Sequence, residues 1–252
     1  MDKFTRILYN IEDKITWIIL NRPEKLNALD DETWRELYLA SKLADNNETR
    51  VIVITGTGRA FSAGDDIHAM YSLSDMNQAS KFFNTLLNTI ISFINMKKPL
   101  VAAVNGLAYG GGCELLLLAD IVISVPEAKF AIPEGRLGLI PPIALSIGYK
   151  TIGLRNISRL TLTGEPINSY EAQRIGLVDY IVPAEQLKSK AIEIAQKIML
   201  NGPHATQIIR SWLNKHRIEL LKEAIEDLAK ISITDEAKEG MRAFIEKRQP
   251  KF

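Results

Sequence analysis

Two glutamates with apolar neighbours, Glu114 and Glu134, are the residues of this 252-residue chain best suited to acid–base chemistry. Glu114 follows three glycines and precedes four leucines, a pattern that predicts a buried helix with a carboxyl group in its first turn. Burial raises the pKa of such a group towards neutrality. Glu134 lies 20 residues later, beyond a predicted strand and an extended piece, which is enough chain to bring it back to Glu114. Two carboxyl groups held close together divide into an ionised base and a protonated acid.

The three glycines, Gly110 to Gly112, lie between a predicted strand and a predicted helix. The N–H groups that open a helix have no partners within it and carry the positive end of its dipole, which suits a negatively charged oxygen. A second interpretation stays open, in which the glycines only permit a tight turn and close packing. Glu114 has a second interpretation as a surface carboxylate, and Glu134 as a loop residue paired with Arg136.

The stretch 56–66, "GTGRAFSAGDD", is predicted to be a glycine-rich loop after a strand. Phe61 stands where a dinucleotide-binding fingerprint needs its third glycine, which argues against a nicotinamide site. Asp65 and Asp66 either begin the next helix as capping residues or form a metal pair, and we favour capping. The remaining metal-ligand types are scattered or single, so we predict no metal site; they are His68, His204, His216 and Cys113.

Strands alternate with helices along the first half of the chain. Continuous apolar or β-branched runs predict strands at Ile15–Pro23, Arg50–Gly56, Pro99–Gly106 and Ile121–Val125. Helical periodicity separates them over residues 30–47 and 76–97. The chain after about Pro141 is mostly helical, with one further strand expected at Leu177–Pro183. These patterns indicate an α/β core followed by a helical region.

Composition narrows the class of protein. Lys and Arg number 31 against 30 Asp and Glu, so the formal charge of +1 gives no electrostatic reason to expect a nucleic-acid or membrane partner. The single cysteine excludes an intrachain disulfide and suits a reducing compartment. The segment "MDKFTRILYN" lacks the apolar core of a secretory signal. We therefore predict a cytoplasmic protein.

Several motifs, in order, resemble the crotonase (enoyl-CoA hydratase/isomerase) superfamily, and the resemblance is strongest to enoyl-CoA hydratase. The matching stretches cover essentially the whole chain; they are Leu20–Leu29, Phe61–Ile67, Lys97–Asp120, Phe130–Leu139, Leu162–Pro183 and the terminal "EGMRAFIEKRQP". The resemblance implies an α/β fold, a crotonase-like spiral of repeated β-β-α units with a C-terminal helical region. It implies a core over residues 1–195, a trimerisation region over 196–252, and a homotrimer or a dimer of trimers.

The resemblance also implies an acyl-CoA substrate and assigns residues to it. Backbone N–H groups of Asp65 and Gly111 would bind the thioester oxygen. Glu114 would activate water, and Glu134 would deliver a proton to Cα of a trans-2-enoyl-CoA. No separate cofactor is implied, since CoA is part of the substrate. The implied substrate- and CoA-binding positions are Lys25, Ala28, Ala63, Asp65, Asp66, Ile67, His68 and Gly111.

Two positions depart from the family pattern. Asp65 stands where alanine is more usual, and "PPIALSIGYK", Pro141–Lys150, replaces the glycine-rich stretch that hydratases carry there. The second change leaves the preferred acyl chain length open. It also leaves open Δ3,Δ2-enoyl-CoA isomerisation, in which Glu134 alone would move a proton, or another acyl-CoA enolate reaction on the same scaffold. A binding protein with lapsed catalysis, including an RNA-binding one, is a further alternative that the neutral charge disfavours.

Overall fold

The computed structural model describes residues 4–252 and contains two sheets wrapped by helices. Residues 1–3 lie outside the described part of the chain. They belong to the N-terminal segment "MDKFTRILYN" and to the predicted core over residues 1–195. The strands are β1 (Ile7–Glu12), β2 (Ile15–Leu20), β3 (Val51–Gly56), β4 (Ala60–Ser62), β5 (Leu100–Val104), β6 (Leu107–Tyr109), β7 (Ile121–Ser124), β8 (Lys129–Ala131), β9 (Ile167–Asn168) and β10 (Tyr180–Ile181).

Eleven α-helices are present within residues 4–252. They are α1 (Asp31–Asn46), α2 (Ile67–Tyr71), α3 (Met76–Asn95), α4 (Gly111–Leu116), α5 (Tyr149–Ile152), α6 (Leu154–Thr163), α7 (Ser169–Arg174), α8 (Leu187–Met199), α9 (Pro203–Leu213), α10 (Glu219–Ser232) and α11 (Asp235–Ile245). Side-chain caps fix several of their starts: Asp30 accepts from the Thr33 N–H at 2.8 Å, and Asp75 accepts from the Gln78 N–H at 2.9 Å.

The larger sheet has the strand order β1-β2-β3-β5-β7-β10, antiparallel only between β1 and β2. Its central strands are buried on both faces, which explains their continuous runs of Val, Ile and Ala. The smaller sheet has the order β4-β6-β8-β9. Each of β3, β5 and β7 leads directly into a strand of this second sheet, so the chain winds as a spiral. The predicted α/β spiral is confirmed.

The sequence prediction missed most of the short strands, and it also missed the six-residue β1. We expected an uninterrupted loop over residues 56–66, and this is wrong because β4 occupies Ala60–Ser62. Strands β6 and β8 were also missed, and each has only three residues. Three residues are too few to establish an alternating pattern, so pairing with neighbours in the second sheet decides their conformation.

The last helix, α11, packs against two segments that matter for the site. A Cβ placed on Gly240 would lie 2.4 Å from the Leu137 carbonyl oxygen, so α11 lies directly on the loop that follows Glu134. The Lys238 ammonium donates to the carbonyls of Tyr71, at 2.8 Å, and Leu73, at the end of α2. The C-terminal helices therefore help to fix the core loops. The division at residue 195, which falls within α8, stays a prediction.

Arg210 on α9 is a buried cation that ties this region to the core. It is 2% exposed, pairs with Asp120 at 2.7 Å, and donates to the carbonyls of Phe93, Ile94 and Met96 at the end of α3. Removing one partner of a buried pair leaves the other charge uncompensated.

We expect Arg210→Ala to lower the free energy of unfolding by about 3–5 kcal/mol. Urea denaturation monitored by circular dichroism measures this change. Exposed Arg155→Ala is the matched control, with an expected effect within about 0.5 kcal/mol. Equal effects of the two substitutions would show that the Arg210 contacts contribute no net stability.

Within residues 4–252, no helix is both long and apolar enough to cross a membrane.

Candidate active site

A tight turn between β6 and α4 begins the site. Gly110 has φ 51° and ψ −131°, a conformation that side-chain-bearing residues rarely adopt, and its N–H donates to the Ala131 carbonyl at 2.9 Å. The turn starts α4 at Gly111 and places Glu114 in the first helical turn, as the sequence predicted. Every residue of α4 is buried, so the surface interpretation of Glu114 is wrong.

Glu114 is 2% exposed, and one of its carboxylate oxygens accepts a hydrogen bond from the Ala144 N–H at 2.6 Å. Ala144 begins a π-helical turn, Ala144–Gly148, inside the stretch that departs from the family pattern. Burial, followed by the charge of Glu134, holds the pKa of Glu114 well above its usual range. The Ala144 N–H opposes this shift, because it stabilises the ionised form.

Glu134 begins the short 3₁₀ helix Glu134–Leu137 and is buried. Among residues 4–252, no hydrogen-bond partner reaches either of its carboxylate oxygens. Burial raises its pKa to about 8. The alternative pairing with Arg136 is wrong, because that guanidinium donates instead to the Thr163 carbonyl at 2.8 Å.

The two glutamates meet at the glycine turn. A Cβ placed on Gly110 would lie 3.1 Å from a carboxylate oxygen of Glu134, so that side chain packs on the residue preceding α4. The charge of Glu134 contributes to the raised pKa of Glu114, which places the carboxyl groups within electrostatic reach. One carboxyl group is anchored by a backbone donor, and the other is buried with no hydrogen-bond partner from another residue among residues 4–252. This asymmetry suits a division into base and acid.

The two backbone N–H groups assigned by resemblance lie side by side. Asp65 forms an isolated parallel bridge with Leu29. The two hydrogen bonds of this bridge run from the Leu29 N–H to the Gly64 carbonyl and from the Asp66 N–H to the Leu29 carbonyl. A Cβ on Gly64 would lie 3.1 Å from the Gly111 nitrogen. Within the described residues, neither the Asp65 nor the Gly111 N–H donates to another residue. Neither N–H is therefore used by another described residue, although the Asp65 N–H lies close enough to its own carboxylate to lower the pKa of that group.

The remaining predicted positions fall on two adjoining segments. Residues 25–29 run beside residues 63–66 through hydrogen bonds that include Ala63 N–H to the Leu26 carbonyl at 2.9 Å. Lys25 and His68 are exposed, whereas Ala28 and Ile67 are half-buried. Asp66 caps α2 by accepting from the His68 N–H, so capping is confirmed for it and not for Asp65. The structure thus gathers the predicted positions around one site.

Three residues of this site escaped the sequence analysis. Trp34 donates through its indole Nε1 to the Asp65 carboxylate at 2.8 Å, and Arg22 pairs with Asp66 at 3.2 Å. Ala144 supplies the N–H that anchors Glu114. Of these three residues, only Trp34 could have been found from the sequence, because a buried indole N–H requires a hydrogen-bond acceptor nearby. Nothing in the sequence marks a backbone donor such as that of Ala144.

No group of three or more His, Cys, Asp or Glu side chains able to hold a metal ion occurs in residues 4–252.

Comparison with known proteins gives one consistent result. Residues 10–252 match the family model described as enoyl-CoA hydratase/isomerase. The mitochondrial enoyl-CoA hydratase of Pongo abelii is 37% identical over 241 residues, covering 93% of this chain and 82% of that protein. The crotonyl-CoA hydratase of Syntrophomonas wolfei is 34% identical over 257 residues, covering 99% and 98%.

A solved structure agrees with the fold. The crystal structure of an enoyl-CoA hydratase/isomerase from Mycobacterium paratuberculosis superposes with a TM-score of 0.89 at 30% identity, covering 96% of this chain and 99% of that one. The family model spans nearly the whole chain, including the glycine turn and both glutamates. This chain therefore belongs to the enoyl-CoA hydratase/isomerase family.

Proposed function

We propose that this protein reversibly adds water across the 2,3 double bond of a trans-2-enoyl-CoA to give a 3-hydroxyacyl-CoA. The pair of buried carboxyl groups carries this proposal. Glu114 is held by a backbone N–H. The Glu134 carboxyl group lies against the same glycine turn, and neither of its oxygens has a hydrogen-bond partner in the described part of the chain. Hydration needs two proton transfers at one site, and two such groups supply both.

The reaction begins when the thioester oxygen accepts from the N–H groups of Asp65 and Gly111. Glu114, ionised, takes a proton from water as the water oxygen bonds to Cβ, and negative charge moves to the thioester oxygen. Glu134, protonated, then delivers its proton to Cα as the enolate collapses. Atoms and charge balance, with the proton gained by Glu114 replacing the one lost by Glu134.

The paired N–H groups provide the electrostatic part of catalysis. Preorganised donors in a water-poor site stabilise charge that develops only in the transition state, and one such donor contributes about 10²–10³ in rate. Segments 25–29 and 63–68 form the proposed CoA-binding edge of the same site. CoA enters as part of the substrate, so the proposal needs no separate cofactor. The cytoplasmic location and the lack of a nucleic-acid partner stay predictions.

The test is the ultraviolet absorbance of crotonyl-CoA on adding purified protein, with products identified by mass. Loss of the enoyl absorbance with a gain of one water supports hydration. A 3-enoyl-CoA is assayed in parallel, because an isomerase would convert it to the conjugated 2-enoyl-CoA without a change in mass. Isomerisation without hydration would overturn the proposal and favour the alternative in which Glu134 acts alone.

An exposed apolar face on α9 supports the proposal of a homotrimer. Ile208, Ile209, Trp212 and Leu213 lie on one side of this helix and are between 56% and 69% exposed. Exposed apolar patches of this kind mark protein–protein contacts. We propose that this face packs against a second copy of the chain.

We expect light scattering on the purified protein to give the mass of three chains, or of six chains if trimers pair. Trp212→Asp is expected to shift the population towards monomers, because it places a charge in the centre of the apolar face. Exposed Arg155→Ala serves as the control and leaves the mass unchanged. A wild-type mass of one chain would contradict the proposed assembly.

A further inference from the structure

The Asp65 side chain lies where its charge affects the site. One of its oxygens accepts from Trp34 Nε1 at 2.8 Å, and Trp34 is a fully buried residue of α1. The other oxygen faces the start of α4: a Cβ placed on Gly111 would lie 2.7 Å from it. The carboxyl group is therefore fixed beside both N–H groups assigned to the thioester oxygen.

Within residues 4–252, no cationic side chain pairs with this carboxyl group. Among residues 4–252, its one hydrogen-bond partner from another side chain is the neutral indole of Trp34. The neighbouring Asp66 is paired with Arg22 and contributes a further negative charge. The other titratable groups facing it are Glu114 on α4 and Glu134 on its 3₁₀ helix, and the charge of Asp65 raises the pKa of both.

The Asp65 carboxyl group also titrates in a useful range. Its residue retains partial exposure, yet burial of the carboxyl group raises its pKa to about 6. Trp34 and the backbone N–H of Asp65 itself oppose that shift by donating hydrogen bonds, and the charge of Asp66 adds to it. The group therefore changes from neutral to charged between about pH 5 and 7.

We propose that the Asp65 carboxyl group controls turnover through its charge: the neutral acid permits hydration, and the carboxylate inhibits it. This inference rests on the proposed hydration. An ionised Asp65 opposes the negative charge that collects on the thioester oxygen, and it also disfavours the ionised form of Glu114 that water activation requires. Both effects slow the same step.

The test compares wild type with Asp65→Asn across pH 5 to 7.5, using kcat/KM for crotonyl-CoA. Asparagine keeps an oxygen to accept from Trp34 and has nearly the same shape, so the charge is the main change. The ratio of kcat/KM of the variant to that of wild type is expected to be near one at pH 5. It should rise to at least about tenfold at pH 7.5, as Asp65 of the wild type ionises.

Two further variants make the result specific. Asp65→Ala removes the same charge without the amide, and the same pH-dependent ratio is expected if Asp65→Asn does not fold. Asp75→Asn is the matched control, since it neutralises an exposed aspartate at the start of α3 while asparagine still caps the helix. The ratio of its kcat/KM to that of wild type is expected to stay constant across this pH range.

A binding measurement separates this inference from the proposed function. Acetoacetyl-CoA forms an enolate that absorbs in the ultraviolet, so its ionisation on the protein reports the field at the thioester oxygen without turnover. Asp65→Asn is expected to shift that ionisation to lower pH. A kinetic ratio that stays flat or falls below one, or an unshifted enolate titration, overturns the role of Asp65. Absence of hydration by wild type would instead overturn the proposed function.

Discussion

Replacing Glu114 by glutamine is expected to lower kcat for crotonyl-CoA hydration by about 10²–10⁴-fold. Glutamine keeps an oxygen that can accept from the Ala144 N–H, so the side chain keeps its place. Its amide has no basicity with which to take a proton from water. The loss therefore falls on kcat, whereas KM changes little because CoA binds elsewhere along the site.

Stopped-flow absorbance with crotonyl-CoA measures both constants, and circular dichroism confirms the fold. Exposed Glu127→Gln is the matched control, and its activity is expected to equal that of wild type. Activity of Glu114→Gln within tenfold of wild type would contradict the assignment of Glu114 as the base. A rise in KM with kcat unchanged would assign Glu114 to substrate binding instead.

Replacing Glu134 by glutamine is expected to reduce activity by a similar factor while making the protein more stable above pH 5. Folding raises the pKa of Glu134 from 4.5 to about 8 because the carboxyl group is buried and, within residues 4–252, has no hydrogen-bond partner from another residue. Between these values the unfolded chain releases a proton that the folded chain keeps. The wild-type free energy of unfolding therefore falls as pH rises towards 8.

Glutamine has no proton to lose, so the variant lacks this decline. Its advantage is expected to be absent near pH 4 and on the order of 3 kcal/mol at pH 7. Urea unfolding of both proteins at several pH values measures it, with Glu127→Gln as the control for the loss of one glutamate. Parallel stability curves for Glu134→Gln and wild type would contradict the raised pKa.

Stability and chemistry oppose one another at this site. The carboxyl group of Glu134 has no hydrogen-bond partner from another residue within residues 4–252, and the carboxyl groups of Glu114 and Asp65 share its unfavourable burial. Three acids gathered in a small volume destabilise the fold at neutral pH, since each pKa is raised by burial and by neighbouring charge. A protein without a chemical use for the two glutamates would gain stability by losing them, which supports their proposed role in catalysis.

The contacts of α11 explain how a site with three buried carboxyl groups keeps its geometry. This helix lies on the loop after Glu134 through Gly240, and it holds the end of α2 through Lys238. The acid and the Asp65 donor are thus braced by one element that is more than 100 residues distant in the chain. Rigid support of this kind is what preorganised donors and acids require.

The sequence by itself determined the architecture and the candidate acids. Continuous apolar runs such as Val51–Gly56 allow few conformations other than buried parallel strands. Four leucines after Glu114 predicted its burial, and the glycines before it predicted the turn at the start of α4. Ordered motifs along the chain indicated the family. These features are local, because periodicity and backbone freedom depend on residues near one another.

Only the tertiary structure decided which groups meet. The approach of Glu134 to Gly110, the Ala144 N–H on Glu114 and the indole of Trp34 on Asp65 are contacts between distant segments. A backbone N–H has no side-chain signature, so neither its direction nor its lack of a partner can be read from residue types. The pKa values follow from the same contacts, because burial and neighbouring charge are properties of the folded chain.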